Sequence, residues 1–403
     1  MRTAKPRRAS RVSWLEWPAS RARWLKWLVF GLAALPLCCG RGVSHADEVD
    51  GRWSGRFSLL GNYYWETSTR VVAPELAVQL TSPNGTDLSV NYLVDTITSA
   101  SQAAGTTVDV SFNETRHDIT LGVGRELALG DNALQWRTGA HFSREPDYTS
   151  ISGNVGGSLF LNERSTTLHF TLGYLHDEVR QNFRGPPPPS NPGTILGQFD
   201  ENFDALTLSF GWDQVLRRWL IAEFGYDFVY LNGFLANAYR RVMVAGAAVG
   251  EQHPGTRIRH TLTGRLKAHV AATRTTFQLR YRAYLDSWDI GAINPEGRIY
   301  QQLSRNLELR LRYRYYKQTQ SFFYEDDDEA YAPNAQYFTN DPKMSAFRSH
   351  EVGLQLRLDF GFLEGTALDV LHGGRLDLSF NYLWRTNVFG DAVTAQVGLS
   401  VPF

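Results

Sequence analysis

Cysteine is nearly missing from this 403-residue chain: its two copies, Cys38 and Cys39, stand side by side near the start. If the first 46 residues are removed, no thiol remains, which excludes disulfides, thiolate metal sites and a cysteine nucleophile. Met is scarce as well, at three residues, while 35 Gly, 23 Phe, 18 Tyr and 11 Trp are spread along the chain. That balance suits strands better than helices. After Asp47 no apolar run reaches the roughly 18 residues that a membrane-crossing helix needs. A surplus of positive charge is also lacking, since 41 basic side chains face 41 acidic ones. Nine of the basic residues and one acidic residue precede residue 47, leaving 32 against 40 and a net charge of −8. A chain of that sign is not built to hold nucleic acid.

What is present begins with an export signal. Arg7, Arg8, Arg11, Arg21, Arg23 and Lys26 are followed by the short apolar segment "WLVFGLAALPL" and by "SHA", a small-x-small cleavage pattern. Removal of residues 1–46 is therefore expected, with 47–403 as the mature chain. A lipid-modified cysteine would want a small residue before it, and Leu37 and Cys38 do not supply one.

The mature chain alternates. "LELRLRYRYY" sets Leu307, Leu309, Leu311, Tyr313 and Tyr315 against Glu308, Arg310, Arg312 and Arg314, and alternation of that kind is a strand with two unlike faces. "TDLSVNYLV", "HDITLGVGRE", "TTLHFTLGYL", "DALTLSFGWD", "AEFGYDFVY", "TFQLRYRAYL", "EVGLQLRLDF" and "RLDLSFNYLW" repeat the pattern. About 16 such segments (14–16) fit, each long enough for a tilted membrane strand. Residues 51–81 hold one strand or two.

The joints separate a membrane barrel from a soluble sandwich. "SPNG" (82–85), "LGDN" (129–132), "NERS" (162–165), "VLRR" (215–218), "AATR" (271–274) and "LSRN" (303–306) are short and fall at every second joint. The joints between them include 99–112, 181–202 with its proline run, 231–256 and 322–345. Short turns at one end and long loops at the other mark an antiparallel transmembrane β-barrel of the outer membrane. One long joint, "FLEGTALDVLHGG" (362–374), lies on the short-turn side. Tyr63, Tyr64, Trp65, Trp212, Trp219, Trp288, Tyr382 and Trp384 are expected in the aromatic girdles at the lipid–water boundaries.

"VTAQVGLSVPF" alternates to a final Phe403 and resembles the last strand of bacterial outer-membrane proteins, which the barrel-assembly machinery reads. Pro402 departs from that pattern. "VDTITSAS", "SREPDYTS" and "NERSTTLHFTLGYLHD" together resemble a bacterial outer-membrane β-barrel family of unknown function. The resemblance implies fold and location and carries no residue role. Genes near such family members are said to encode thioredoxin-like and flavin-attachment proteins, which hints at redox-related surroundings.

The candidate functional residues are the polar members of the alternating strands, expected to line a lumen. Arg259, Arg265, Lys267, Arg280, Arg282, Arg310, Arg312 and Arg314, with Glu308 among them, form a basic wall. Asp213, Glu223 and Asp227 on one side, and Glu351, Asp359 and Asp377 on the other, are the acidic candidates. Opposed walls would set a transverse field across a pore, and paired charges would fill it instead. The acidic stretch "EDDDEAY" lacks the ligand spacing of a calcium loop, and the scattered histidines show no metal spacing. No cofactor is expected, and no nucleophile–histidine pattern points to an enzyme. The expectation is a porin-like channel or transport protein of the outer membrane, in contact with its lipid. The alternative is a closed barrel anchoring an extracytoplasmic complex.

Overall fold

Each of the alternating segments quoted above forms a strand in the computed structural model, which describes residues 52–67, 69–99, 112–181, 199–238, 240–326 and 331–403. The export-signal reading and most of the "EDDDEAY" stretch lie outside the described residues. The strands are β1 (Ser54–Glu66), β2 (Thr69–Thr81), β3 (Thr86–Ser99), β4 (Phe112–Leu129), β5 (Asn132–Arg144) and β6 (Tyr148–Leu161). They continue with β7 (Thr166–Gln181), β8 (Phe199–Arg217), β9 (Leu220–Gly233), β10 (Arg241–Val244), β11 (Ala247–Gly250) and β12 (Thr256–Val270). The last six are β13 (Thr275–Asp286), β14 (Gly291–Gln302), β15 (Leu307–Gln318), β16 (Phe347–Asp359), β17 (Arg375–Arg385) and β18 (Ala392–Pro402). β10 and β11 form a separate hairpin, and the other sixteen close into one antiparallel barrel in chain order. Residues 54–81 thus hold two strands.

Closure is made by the two ends of the chain. β1 pairs with β18 from Arg56↔Pro402 to Glu66↔Ala392, and Gly55 and Phe403 exchange backbone hydrogen bonds of 2.8 and 3.0 Å. A Cβ at position 55 would stand 2.6 Å from the Phe403 ring, so glycine there makes room for the terminal aromatic. Pro402 is the last strand residue, where its missing N–H costs little of the ladder.

The joints sort by end as the alternation implies. Those after β2, β4, β6, β8, β12 and β14 have four residues or fewer, and the ends of β3, β7, β9 and β15 that lead into the long joints all lie at the opposite end. The exception after β16 folds as two short 3₁₀ turns, Phe360–Leu363 and Asp369–Leu371.

Register decides which side chains share a face. On β15 the leucines and Tyr313 face one way and Glu308, Arg310, Arg312 and Arg314 the other, aligned with Gln302, Tyr300, Arg298 and Glu296 of β14. A closed sheet crowds its concave face and spreads its convex one. The Glu296 and Glu351 side chains are 2% and 9% exposed, against 65% for Leu279 and 46% for Leu311. The charged face therefore points inward, and the apolar face points out to lipid. On β7 the outward series Leu168, Phe170, Leu172, Tyr174 turns polar at His176, Glu178 and Arg180. On β8 the series Trp212, Phe210, Leu208, Leu206 turns polar at Asp204. Tyr174 donates to Asp204 at 2.6 Å and His176 Nδ1 lies 2.8 Å from the same carboxylate, marking the edge of the apolar band. Two of the expected girdle aromatics are elsewhere: Tyr64 points inward and donates to Glu66 at 2.6 Å, and Trp288 is buried in a loop.

An arginine on the outward face has no water at the bilayer midplane. Leu311→Arg should therefore cost about 2–4 kcal/mol, read from urea unfolding in phospholipid vesicles. The inward change Arg280→Leu should fold with a smaller loss. Equal tolerance of both changes would contradict the assignment of faces.

Candidate functional site

Register puts all fifteen charged candidates on the inward face, where most of the acids stand beside the bases rather than across from them. Glu223 of β9 is the direct neighbour of Arg265 of β12, and the two form an ion pair. Arg310 Nε reaches Glu308 at 2.6 Å. Arg312 bridges Glu296 at 2.9 Å and Glu351 at 2.8 Å, and Arg314 pairs with Glu351 too. Arg357 holds Asp377 at 3.0 Å, and Arg375 holds Asp359 at 2.8 Å. Asp213 receives His169 Nε2 at 3.0 Å, and Asp227 accepts from Ser209 Oγ at 2.7 Å. Of the two arrangements open from sequence, opposed walls and paired charges, most of these acids show pairing, because β9 and β16 directly flank the basic strands.

Four cations are left over. Arg259, Lys267, Arg280 and Arg282 make no ion pair among the described residues. Arg259 is opposite Asp286, yet that carboxylate is taken by Arg257 Nε at 2.8 Å and by the Tyr284 hydroxyl at 2.7 Å. Lys267 Nζ lies 5.8 Å from the Tyr300 ring centre, a ring that also carries the Arg310 guanidinium at 5.1 Å. From Arg259 to Lys267 the column covers about 26 Å of β12. Across the barrel, β3–β5 lie opposite β13–β15 in the ring order. There the inward positions in register include Ser89, Asn91, Thr120, Gly122 and Gly139, followed by Asn154 on β6. The cationic strands therefore face a wall that mixes these short side chains with Arg137 and the His141–Asp118 pair.

A small hollow of about 110 Å³ opens between β14 and β18, lined by Arg298, Tyr300, Arg310, Arg312, Gln355 and Asn381 among others. Gly353 creates part of it, since a Cβ there would overlap Asn381 Oδ1.

Two groups were missed in sequence. Glu296, which receives Arg298 at 2.6 Å as well as Arg312, sits in "GAINPEGRIY", where Pro295 and two glycines hide the alternation of Asn294, Glu296, Arg298 and Tyr300. The other is a loop cluster at the long-loop end, built from described residues of 234–255 and 319–346. Val242, Tyr331 and Phe338 form its apolar centre, and backbone hydrogen bonds join Gln252 and Phe338 in both directions. Glu251 accepts from Thr339 Oγ1 and the Asn237 N–H, both at 2.7 Å, and lies 3.3 Å from His253 Nε2 and 3.8 Å from Arg240. Trp288 packs edge-on against His253 and Phe323, at 5.3 and 5.2 Å, under the Arg257 guanidinium. Arg257 and Gln318 are inward-facing, and Gln318 donates to the carbonyls of Lys343 and Ser345 at 3.0 and 2.7 Å. The cluster is therefore seated on the inner rim of β12–β16. Among the described residues no group of three or more His, Cys, Asp or Glu side chains could hold a metal ion.

Sixteen closed strands with an apolar outside and a charged inside define a bacterial outer-membrane β-barrel. The chain belongs to the family described as "Protein of unknown function (DUF3570)", which matches residues 102–382. Curated protein sequences give no match. Solved structures with a similar fold include CdiB from Acinetobacter baumannii, at TM-score 0.46 and 10% identity over 86% of this chain. This chain spans 60% of that structure's length. Others are OprD from Pseudomonas aeruginosa, at 0.39 and 10% over 90% of this chain and 99% of that one, and OpdK from the same organism, solved with vanillate, at 0.37 and 11% over 87% and 98%.

Proposed function

We propose that the protein is a porin-like channel whose lumen favours anionic solutes. The observation that carries this reading is the set Arg259, Lys267, Arg280 and Arg282, none of which makes an ion pair among the described residues. Sixteen strands enclose a lumen wide enough for water, and fixed charges on its wall select the ions that enter. A closed adaptor barrel would have no use for unneutralised cations along its inside, since buried charge without a partner is costly. In this reading residues 1–46 direct export and are removed, and the strand ending in Phe403 is what the assembly machinery reads.

Planar bilayers test the proposal. The purified protein should insert with stepwise conductance, and its reversal potential in asymmetric KCl should carry the sign of an anion-selective pore. Replacing Arg280 and Arg282 together by glutamine should lower the anion-to-cation permeability ratio by about threefold or more, as expected when charges lining a pore are removed. Repeated silence of a folded barrel would favour the closed scaffold. A conducting pore with cation selectivity would remove the anion reading alone.

A further inference from the structure

The outward face of the barrel repeats one contact at its long-loop end. Tyr92 OH lies 2.9 Å from His117 Nδ1, Tyr226 OH 2.9 Å from His260 Nδ1, and Tyr313 OH 2.8 Å from His350 Nδ1. In each pair the tyrosine hydroxyl occupies Nδ1 and leaves the other ring nitrogen for a further partner. His176 differs, since Asp204 and not a tyrosine hydroxyl lies on its Nδ1, at 2.8 Å.

Two of these pairs adjoin cations that have no acid. Lys317 and Arg348 are direct partners across β15 and β16, both exposed, one outward position beyond Tyr315 and His350. Arg144, also exposed, is the direct partner of His117 across β5 and β4. None of the three makes an ion pair among the described residues. Like charges directly opposite each other on a sheet repel, so Lys317 and Arg348 form a place where an anion is missing rather than a balanced surface. Their height is set by the rings beneath them: His350 stacks on Trp384 at 5.5 Å and 13° and packs against Tyr315 at 5.1 Å. Below that aromatic layer come Leu311, Val352 and Leu354 of the apolar band. The cations thus stand just outside the girdle, at the level of lipid headgroups.

Long loops mark the cell-surface end of such a barrel, and we propose that these are two phosphate clamps for lipids of the outer leaflet. Lys317, Arg348 and His350 hold one lipid phosphate, and Arg144 and His117 hold another nearly across the barrel, as the ring order places β15–β16 away from β4–β5. Guanidinium and ammonium groups give charge-assisted hydrogen bonds to phosphate oxygens. The exposed leucines and valines directly below accept the acyl chains, which a free phosphate ion lacks. This inference stands apart from the channel reading, since it concerns the opposite face of the same strands.

The test is native mass spectrometry of the full barrel released from detergent, offered lipid A with both phosphates or the same lipid with its phosphates removed. The phosphorylated form should be retained and the stripped form not. Replacing Lys317 and Arg348 together by glutamine should weaken retention by about tenfold or more, the scale of two basic residues at an anionic surface. Replacing Arg144 by glutamine should remove the second bound lipid. Heat-modifiable migration on gels reports folding of each variant, and Lys317→Gln alone carries the comparison if the pair fails to assemble. Equal retention of both lipids, unchanged retention in the folded variants, or displacement by an equal concentration of inorganic phosphate would each overturn the proposal.

Discussion

Glu296→Ala should destabilise the barrel by about 3–5 kcal/mol, the range for removing one partner of a buried ion pair. The carboxylate is 2% exposed and receives Arg298 Nε at 2.6 Å and Arg312 Nε at 2.9 Å. Its direct partners across the sheet are Arg280 and Arg314. With it gone, Arg298 has no acid and four arginines adjoin one another around an empty position. Arg312 keeps Glu351 at 2.8 Å, so the reverse change, Arg312→Met, should cost less, because Glu296 would still hold Arg298. Urea unfolding of the protein folded into vesicles measures both. A loss for Glu296→Ala no larger than that for Arg312→Met would mean that the inner charges are too well solvated to act as a network.

How much of this could be read beforehand depends on the length scale of the signal. Alternation is local, so the face of Leu309 or Arg312 follows from the residue beside it, and the position of each loop follows from counting strands. The pairing of charges is not local. Whether Arg265 meets Glu223 or stands across a lumen from it depends on which strands are neighbours and how they slide past one another. That is why the inward set could be named in sequence while its arrangement, as opposed walls or as pairs, could not. Glu296 was hidden for a simpler reason: Pro295 and the flanking glycines made its strand look like a turn. Trp288 was misplaced because an aromatic residue near a strand end fits a lipid girdle and a folded loop equally well. The loop cluster had no signal at all, since segments without a period give no face to follow. Its contacts join residues about 100 positions apart, as in Arg240 and Asn340 at 3.5 Å.

That cluster should come loose when Trp288, the aromatic that seats it on the β13–β14 turn, is removed. Trp288→Ala should cost the loops about 3–5 kcal/mol, the range for truncating a buried aromatic, because Trp288 is 1% exposed. Its indole N–H donates to the Thr256 carbonyl at 3.0 Å, and its ring meets His253, Phe323 and the Arg257 guanidinium. The expected readout is rapid cleavage within 234–255 and 319–346 by protease added to intact cells, with the barrel strands left whole. Acid should loosen the same contacts through Glu251. Burial pushes its carboxyl up, but His253, the Thr339 hydroxyl and the Asn237 N–H outweigh that and hold it below the usual carboxylate range. A depressed carboxyl stabilises the folded loops above its unfolded value, about 4.3, and that contribution is lost as pH falls through the lower folded value. Protection of the purified barrel, followed by hydrogen exchange, should therefore hold from neutral pH to about pH 4 and fall below it. Glu251→Gln should show reduced protection at neutral pH and no further step in acid. An acid step that persists unchanged in Glu251→Gln would assign the loss to another carboxylate, with Asp341, 3.6 Å from Arg240, the next to replace.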